Sequence, residues 1–198
     1  MKGKIFNAQE VQAILNGSKV MFREVIKKPL KDFNNIKINQ DGELSAYNKT
    51  KGWYEELKNI KCPYQVGQKI FVKETFSYSN QPWCDKTIFY KASHGDRIQH
   101  TFSVSQRENK WRSPMVMQEY DSRLTPLIKE IRVERLQDIS EDDAYKEGVQ
   151  ITDEWTGCAD DLDFTGAFKF SWNATHKKPE EKFEANPWVW VCTMEVVK

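Results

Sequence analysis

No stretch of this 198-residue chain is apolar over anything near the roughly 20 residues that a membrane-crossing helix needs, and the mean hydropathy of -0.73 is that of a water-soluble protein. The start, Met1-Lys2-Gly3-Lys4, lacks the apolar core of a secretory leader, so a cytoplasmic location is expected. Cysteine is sparse: Cys62, Cys84, Cys158 and Cys192 stand far apart, with no C-x-x-C pair and no histidine in zinc-ligand spacing. That excludes a zinc ribbon and a disulfide framework, and four reduced thiols are expected. The three histidines, His94, His100 and His176, lie in polar segments without a matched nucleophile motif. With no G-x-S-x-G and no glycine-rich phosphate loop either, hydrolase triads and nucleoside-triphosphate enzymes are poor fits, and neither a metal nor another cofactor is expected.

Charge of one sign is also scarce overall. A formal net charge of +1 argues against a protein that clings to duplex DNA by charge alone, since such affinity comes from many Lys and Arg contacts to phosphate. The distribution is uneven, however. Residues 1–75 hold 14 Lys or Arg against 8 Asp or Glu, whereas residues 138–168 hold 10 acids against Lys146 alone. One end would attract phosphate and the other repel it, or both would be solvated faces without a partner.

What is present is enough apolar mass for a core, 39% of residues including 7 Trp, 7 Tyr and 11 Phe, and the size of one ordinary domain. Local signals give an α+β order. A first strand at Lys4-Ile5-Phe6 runs into a helix whose Asn7 and Glu10 have capping-box spacing. Val11, Ile14 and Leu15 make its apolar face, and Asn16-Gly17 ends it. A strand is predicted from Lys19 to Ile26, stopped by Pro29, and then a hairpin over 36–47 around Asp41-Gly42. A turn at 64–68 leads into a strand over 69–75. Residues 76–115 read as irregular apart from a strand at 87–91, and another strand covers 127–136. Ser140 caps an acid-rich helix ending at Gly148. An acidic loop over 153–166, a helix from 167 to 175 and an apolar strand from Trp188 to Val197, predicted to be central, complete the chain.

Some charged and aromatic side chains fall where a pocket would use them. Lys19 follows a helix-ending glycine and opens a strand, a position suited to binding phosphate or, when desolvated, to acting as a base. Arg23, Glu74 and Arg123 lie beside apolar strand residues and read as ligand contacts or as structural ion pairs. Glu147 sits in the last turn of a helix, where a carboxylate is disfavoured by the helix dipole. Trp111-Arg112, Trp188 and Trp190 offer surfaces on which a base would stack, or else belong to the core.

Taken in order, several segments resemble the ASCH domain, a PUA-like barrel, and most of all its phage and prophage branch. Gly17-Ser18-Lys19 to Pro29 is similar to that branch's G-x-K-T-x-T-R-R-V-I-K-P. Tyr64 to Phe76 is similar to Y-x-x-G-D-x-x-x-V-R-E-T-W. Trp111 to Pro114 and Ser122 to Thr125 resemble W-R-P-S and S-R-L-T. Arg132 to Val149 resembles R-V-E-R-L-Q-D-I-S-E-x-D-A-x-x-E-G-V, and Asn186 to Val191 reads N-P-W-V-W-V outright. The resemblance implies a single domain over 1–198: an α+β, PUA-like small β-barrel with short flanking helices and large loop insertions at about 30–60, 77–110 and 150–168.

Small ASCH relatives are amidohydrolases that remove the acetyl group of N4-acetylcytidine with a lysine, a threonine and a glutamate, and others are ribonucleases or RNA binders. By this resemblance Lys19 matches the lysine and Glu147 the glutamate. The threonine falls on Phe22 and the motif's other threonine on Val20, and a phenyl ring is no nucleophile. The leading expectation is therefore a phage- or prophage-type protein that binds RNA or a modified nucleotide, interfering with host RNA or nucleotide signals. Its pocket would be edged by Lys19, Arg23, Glu74, Arg123 and Glu147, with Thr75, Trp111, Arg112 and Trp188 as further ligand contacts. The alternatives are an amidohydrolase or ribonuclease using Lys19 and Glu147, with Thr75 as a substitute hydroxyl, and a protein-interaction module whose acidic loop at 153–163 meets a host protein.

Overall fold

The computed structural model describes residues 1–27, 30, 33–38, 43–48, 52–78, 87–95, 110–151 and 163–196. The chain is α+β and divides into two compact units, Met1–Gly17 with Lys69–Leu127 and Val196–Lys198, and Ser18–Gln68 with Ile128–Glu195. No helix among the described residues is long and apolar enough to cross a membrane.

The first unit pairs β1 (Lys2–Ile5) parallel with β6 (Ile70–Lys73), and β7 (Phe76–Tyr78) antiparallel with β8 (Ile88–Tyr90). Helix α1 (Ala8–Asn16) carries the capping box expected from Asn7 and Glu10, both bonds being 2.9 Å. Gly17 ends it at a φ of 83°, a left-handed conformation costly to any residue with a Cβ. Val11 and Ile14 are buried as expected, but Leu15 stays 42% exposed and Ala13 takes its place inside. Phe6, predicted as strand, lies just beyond β1 and is buried. A four-residue helix, α2 (Lys91–His94), follows β8.

The second unit is layered. The first sheet has the order β2 (Met21–Val25), β10 (Trp188–Val196), β9 (Pro126–Arg135), and the second has β3 (Phe33–Ile38), β4 (Glu43–Asn48), β5 (Trp53–Lys61). Strand β10 is central, as its two apolar faces predicted. Its period-2 alternation sends Trp188 and Trp190 to one side, where they pack with Ile36, Leu44 and Ala46 of the second sheet. Val189 and Val191 go to the other side, against Ala144 of α3 (Glu141–Lys146) and Phe168 and Trp172 of α4 (Phe164–Thr175). Two clusters on opposite faces of one strand thus tie helices and both sheets together.

Ser140 caps α3 by accepting from the Asp143 amide, and Gly148, at a φ of 73°, turns the chain out of it. Asp163 caps α4, which starts three residues before the predicted 167. The hairpin of β3 and β4 forms as expected, while its Asp41-Gly42 turn lies outside the described residues, as does the acidic loop over 153–162. Strands β5 and β7 were not foreseen: Trp53-Tyr54-Glu55-Glu56-Leu57-Lys58-Asn59-Ile60-Lys61 lacks clean alternation, and β7 is three residues long. The described strands make four small sheets, none closed on itself.

Trp190 is 3% exposed at the junction of the two sheets. Trp190→Ala is expected to cost about 3–5 kcal/mol, read as a lowered urea midpoint at constant slope.

Candidate functional site

The helix-ending Gly17 delivers Ser18 and Lys19 to the edge of the first sheet of the second unit. There the Val20 amide donates to the Lys146 carbonyl at 2.9 Å, and Lys19 and Glu147 form an isolated antiparallel bridge. This backbone contact brings the opening of β2 to the end of α3, across 128 residues of sequence. The Lys19 ammonium then donates to the Glu147 carbonyl oxygen at 2.8 Å and to Glu147 Oε2 at 2.9 Å, with both side chains buried.

The residue types on β2 alternate in the same way. Met21 and Arg23 turn toward α3 and α4, and Phe22 turns the other way to meet Tyr64 edge-on at 5.3 Å. Arg23, fully buried in its side chain, donates through Nη1 to Glu147 Oε1 at 2.8 Å. Its Nη2 donates to Glu134 Oε1 at 2.6 Å and to Asp143 Oδ2 at 3.2 Å, and Phe168 lies under the guanidinium at 5.6 Å. Arg132, on β9, completes the set by donating to Glu134 Oε2 at 3.2 Å and to Asp143 Oδ2. Burial pulls the Arg132 guanidinium down, but hydrogen bonds and charge from Glu134 and Asp143 outweigh it, and the net shift is upward.

Three cations, Lys19, Arg23 and Arg132, therefore face three carboxylates, Glu134, Asp143 and Glu147. The cluster is neutral and graded in depth. Lys19, Arg23 and Glu147 form its floor, while Arg132 at 31% side-chain exposure and Glu134 and Asp143 at 17% form the rim. Glu134, Asp143 and Arg132 are not among the site residues that the sequence singles out. The alternation of charged and apolar residues in Arg132-Val133-Glu134 was the available signal, because a half-buried strand facing a buried arginine must supply acids on that side.

The other expected contacts lie in the first unit. Glu74, 2% exposed, receives a two-pronged bond from Arg123, Nε to Oε1 at 2.8 Å and Nη2 to Oε2 at 2.9 Å. Thr75 is half-buried there, and its carbonyl accepts from the Lys91 amide at 2.9 Å. Arg112 exchanges backbone bonds with Phe76 and lays its guanidinium 4.9 Å from the Tyr78 ring. The Tyr78 phenol donates to the buried Asp121 carboxylate, and burial together with that bond and charge pushes it up to about 12. Trp111 is half-buried beside Arg112. In the second unit, Trp188 is a core residue with the Arg135 guanidinium 4.4 Å from its ring. The indole N–H groups of Trp111 and Trp188 are buried without a hydrogen-bond partner among the described residues.

Phe22, at the position the resemblance assigns to threonine, is 2% exposed and pairs across the sheet with Cys192. Its neighbour Tyr64 donates to Glu24 Oε2 at 3.0 Å. Burial, then the Glu24 charge and that bond, then the thiols of Cys192 and Cys62 push the phenol above the usual tyrosine range. Compared with known proteins, the chain matches no family model, no curated protein and no solved structure. The ASCH resemblance rests on the motifs in the sequence.

Two outcomes are expected. Glu147→Ala strands Lys19 and Arg23 without their shared carboxylate and should cost about 3–5 kcal/mol in chemical denaturation. Lys61→Ala, which breaks a pair with a 62%-exposed lysine, should change stability by under about 1 kcal/mol. The raised Tyr64 phenol sets a pH dependence. Its contribution is complete below the unfolded tyrosine value near 10 and is lost as pH rises above it, because the unfolded chain gives up the proton first. Stability measured from about pH 9 to 11 should fall, and Tyr64→Phe should flatten part of that fall.

Proposed function

We propose that the chain is an ASCH-type, PUA-like barrel protein that binds RNA or a nucleotide carrying a modified base, with the ion cluster of β2, β9 and α3 as the base-recognition site. The observation that carries this reading is the neutrality of that cluster. Lys19, suited from sequence to binding phosphate, and Arg23 each already hold a carboxylate, so the site offers a phosphate no excess positive charge. Its half-exposed rim instead presents a donor, Arg132, between two acceptors, Glu134 and Asp143. Adjacent donors and acceptors suit the amide-like edge of a nucleobase, which RNA-binding proteins read in single strands. The Trp111-Arg112-Ser113-Pro114, S-R-L-T and N-P-W-V-W-V segments support the family side of the reading.

One observation favours a second reading. The lysine and glutamate that the resemblance makes catalytic are in contact, Lys19 Nζ lying 2.9 Å from Glu147 Oε2, as an amidohydrolase or ribonuclease would need. Against the amidohydrolase, the strand positions after Lys19 hold Val20 and Phe22, which have no hydroxyl to attack a carbonyl.

The test is incubation with N4-acetylcytidine and with acetylated RNA, followed by mass spectrometry of the nucleosides and equilibrium binding on the same samples. Binding without turnover, weakened about tenfold (about 1.4 kcal/mol) by Arg132→Ala, is the expected result. Deacetylation that is lost in Glu147→Gln would establish the enzyme instead. Neither binding nor turnover with any of these probes would overturn both readings.

A further inference from the structure

The second unit's ion cluster is balanced, but the first unit is not: its residues include 12 Lys or Arg against 7 Asp or Glu, while the second unit has 18 against 22. Within the first unit two arginines lie on tyrosines. Arg123 is 4.2 Å from the Tyr90 ring and Arg112 is 4.9 Å from the Tyr78 ring. Tyr78 and Tyr90 share one face of the β7–β8 pair, since Tyr90 is opposite Phe76, two residues before Tyr78. Both phenols donate to Asp121 at 2.8 Å, Tyr78 to Oδ2 and Tyr90 to the backbone carbonyl. One buried residue therefore anchors both ring-and-guanidinium pairs.

The donors of Arg123 are only partly used. Nε and Nη2 serve Glu74, and Nη1 donates to Ser93 Oγ at 2.7 Å. One N–H remains on each terminal nitrogen with no acceptor among the described residues, and 23% of the side chain is exposed. Arg112 is exposed, and its guanidinium makes no hydrogen bond among the described residues. Glu74, 2% exposed, holds Arg123 from behind and balances its charge, and Asp121, also 2% exposed, holds the two tyrosines. The positive charge that this face offers an anion is therefore that of Arg112, while Arg123 contributes its outer N–H groups. Lys91 follows Tyr90 directly in the chain, and the Lys110 carbonyl accepts from Ser77 at 3.1 Å. A guanidinium clamped along one edge and stacked on one face keeps its outer N–H groups in a fixed array, which matches two oxygens of a phosphate.

We propose that this face, around Arg123 and Arg112, is a separate phosphate-binding site that holds the phosphodiester backbone of single-stranded RNA. The choice of RNA rests on the reading above; the anion site does not. Stacked, buttressed arginines give backbone affinity without sequence choice, and leave selection of a base to the neutral cluster.

The experiment uses the full chain. Fluorescence anisotropy follows a labelled oligouridylate of about 10 nucleotides across about 50–200 mM KCl. In parallel, the arginine Nε–Hε resonances are followed by NMR as inorganic phosphate is added at constant ionic strength. Arg112→Ala and the double variant Glu74→Gln, Arg123→Gln, which leaves no buried charge unpaired, should each weaken binding and lower the slope of log K against log salt by about 0.7 per lost contact. Lys129→Ala, at an exposed pair with Glu195, should leave the slope unchanged. If the double variant does not fold, Arg112→Ala and the phosphate titration decide. Oligomer binding with an unaltered slope in Arg112→Ala, or an Arg123 resonance unmoved by phosphate, overturns this site and leaves the RNA reading standing. A phosphate-shifted Arg123 in a protein that binds no oligomer keeps the anion site and removes RNA as its ligand.

Discussion

The buried carboxylate of Glu147 is the constraint on which the second unit turns. A charge that leaves water must be met by opposite charge and hydrogen bonds, and Glu147 is met twice, by Lys19 on one oxygen and Arg23 on the other. Arg23 in turn requires Glu134 and Asp143, and these bring in Arg132. Strand β2, strand β9 and helix α3 are therefore joined by one chain of charge-assisted hydrogen bonds. Removing a single member exposes the others to the cost of unpaired burial.

The same cluster explains where the uneven charge of the chain goes. The basic opening of the sequence and its acidic stretch beyond residue 138 partly neutralise each other within the second unit, through Lys19, Arg23, Asp143 and Glu147. The sequence of the first unit carries a surplus of positive charge instead, 12 Lys or Arg against 7 Asp or Glu, and two of these cations, Arg112 and Arg123, are held against aromatic rings. A balanced ion cluster and a face bearing ring-stacked arginines thus occur in separate units.

Packing follows from the alternation of one strand. Trp188-Val189-Trp190-Val191 places large rings on one face of β10 and small branched side chains on the other. Two sheets meet over the tryptophans, and a sheet meets two helices over the valines. Arg135 lies along the Trp188 ring at the margin of this core, and burial lowers its guanidinium below the usual arginine range.

Local chemistry was legible in the chain itself. The Asn7–Glu10 capping box, the Ser140 cap, the glycine endings at 17 and 148 and the central strand at 188 each depend on neighbours in sequence, and each formed as read. Strand β5 escaped because its partner, β4, rather than its own pattern makes it a strand. Leu15, in the last turn of α1, stays exposed because the helix buries Ala13 with Val11 and Ile14 instead. In the candidate site, residue types and their order singled out Lys19, Arg23 and Glu147. That they touch, that Glu134, Asp143 and Arg132 close their charge balance, and that Glu74 and Arg123 pair in the other unit were decided by tertiary structure alone. Those contacts span 49 to 128 residues, except where Arg132 meets neighbours on its own side of the chain. Electrostatic partnership at that separation is set by which strand is zipped to which helix, information carried by the whole fold and by no single segment.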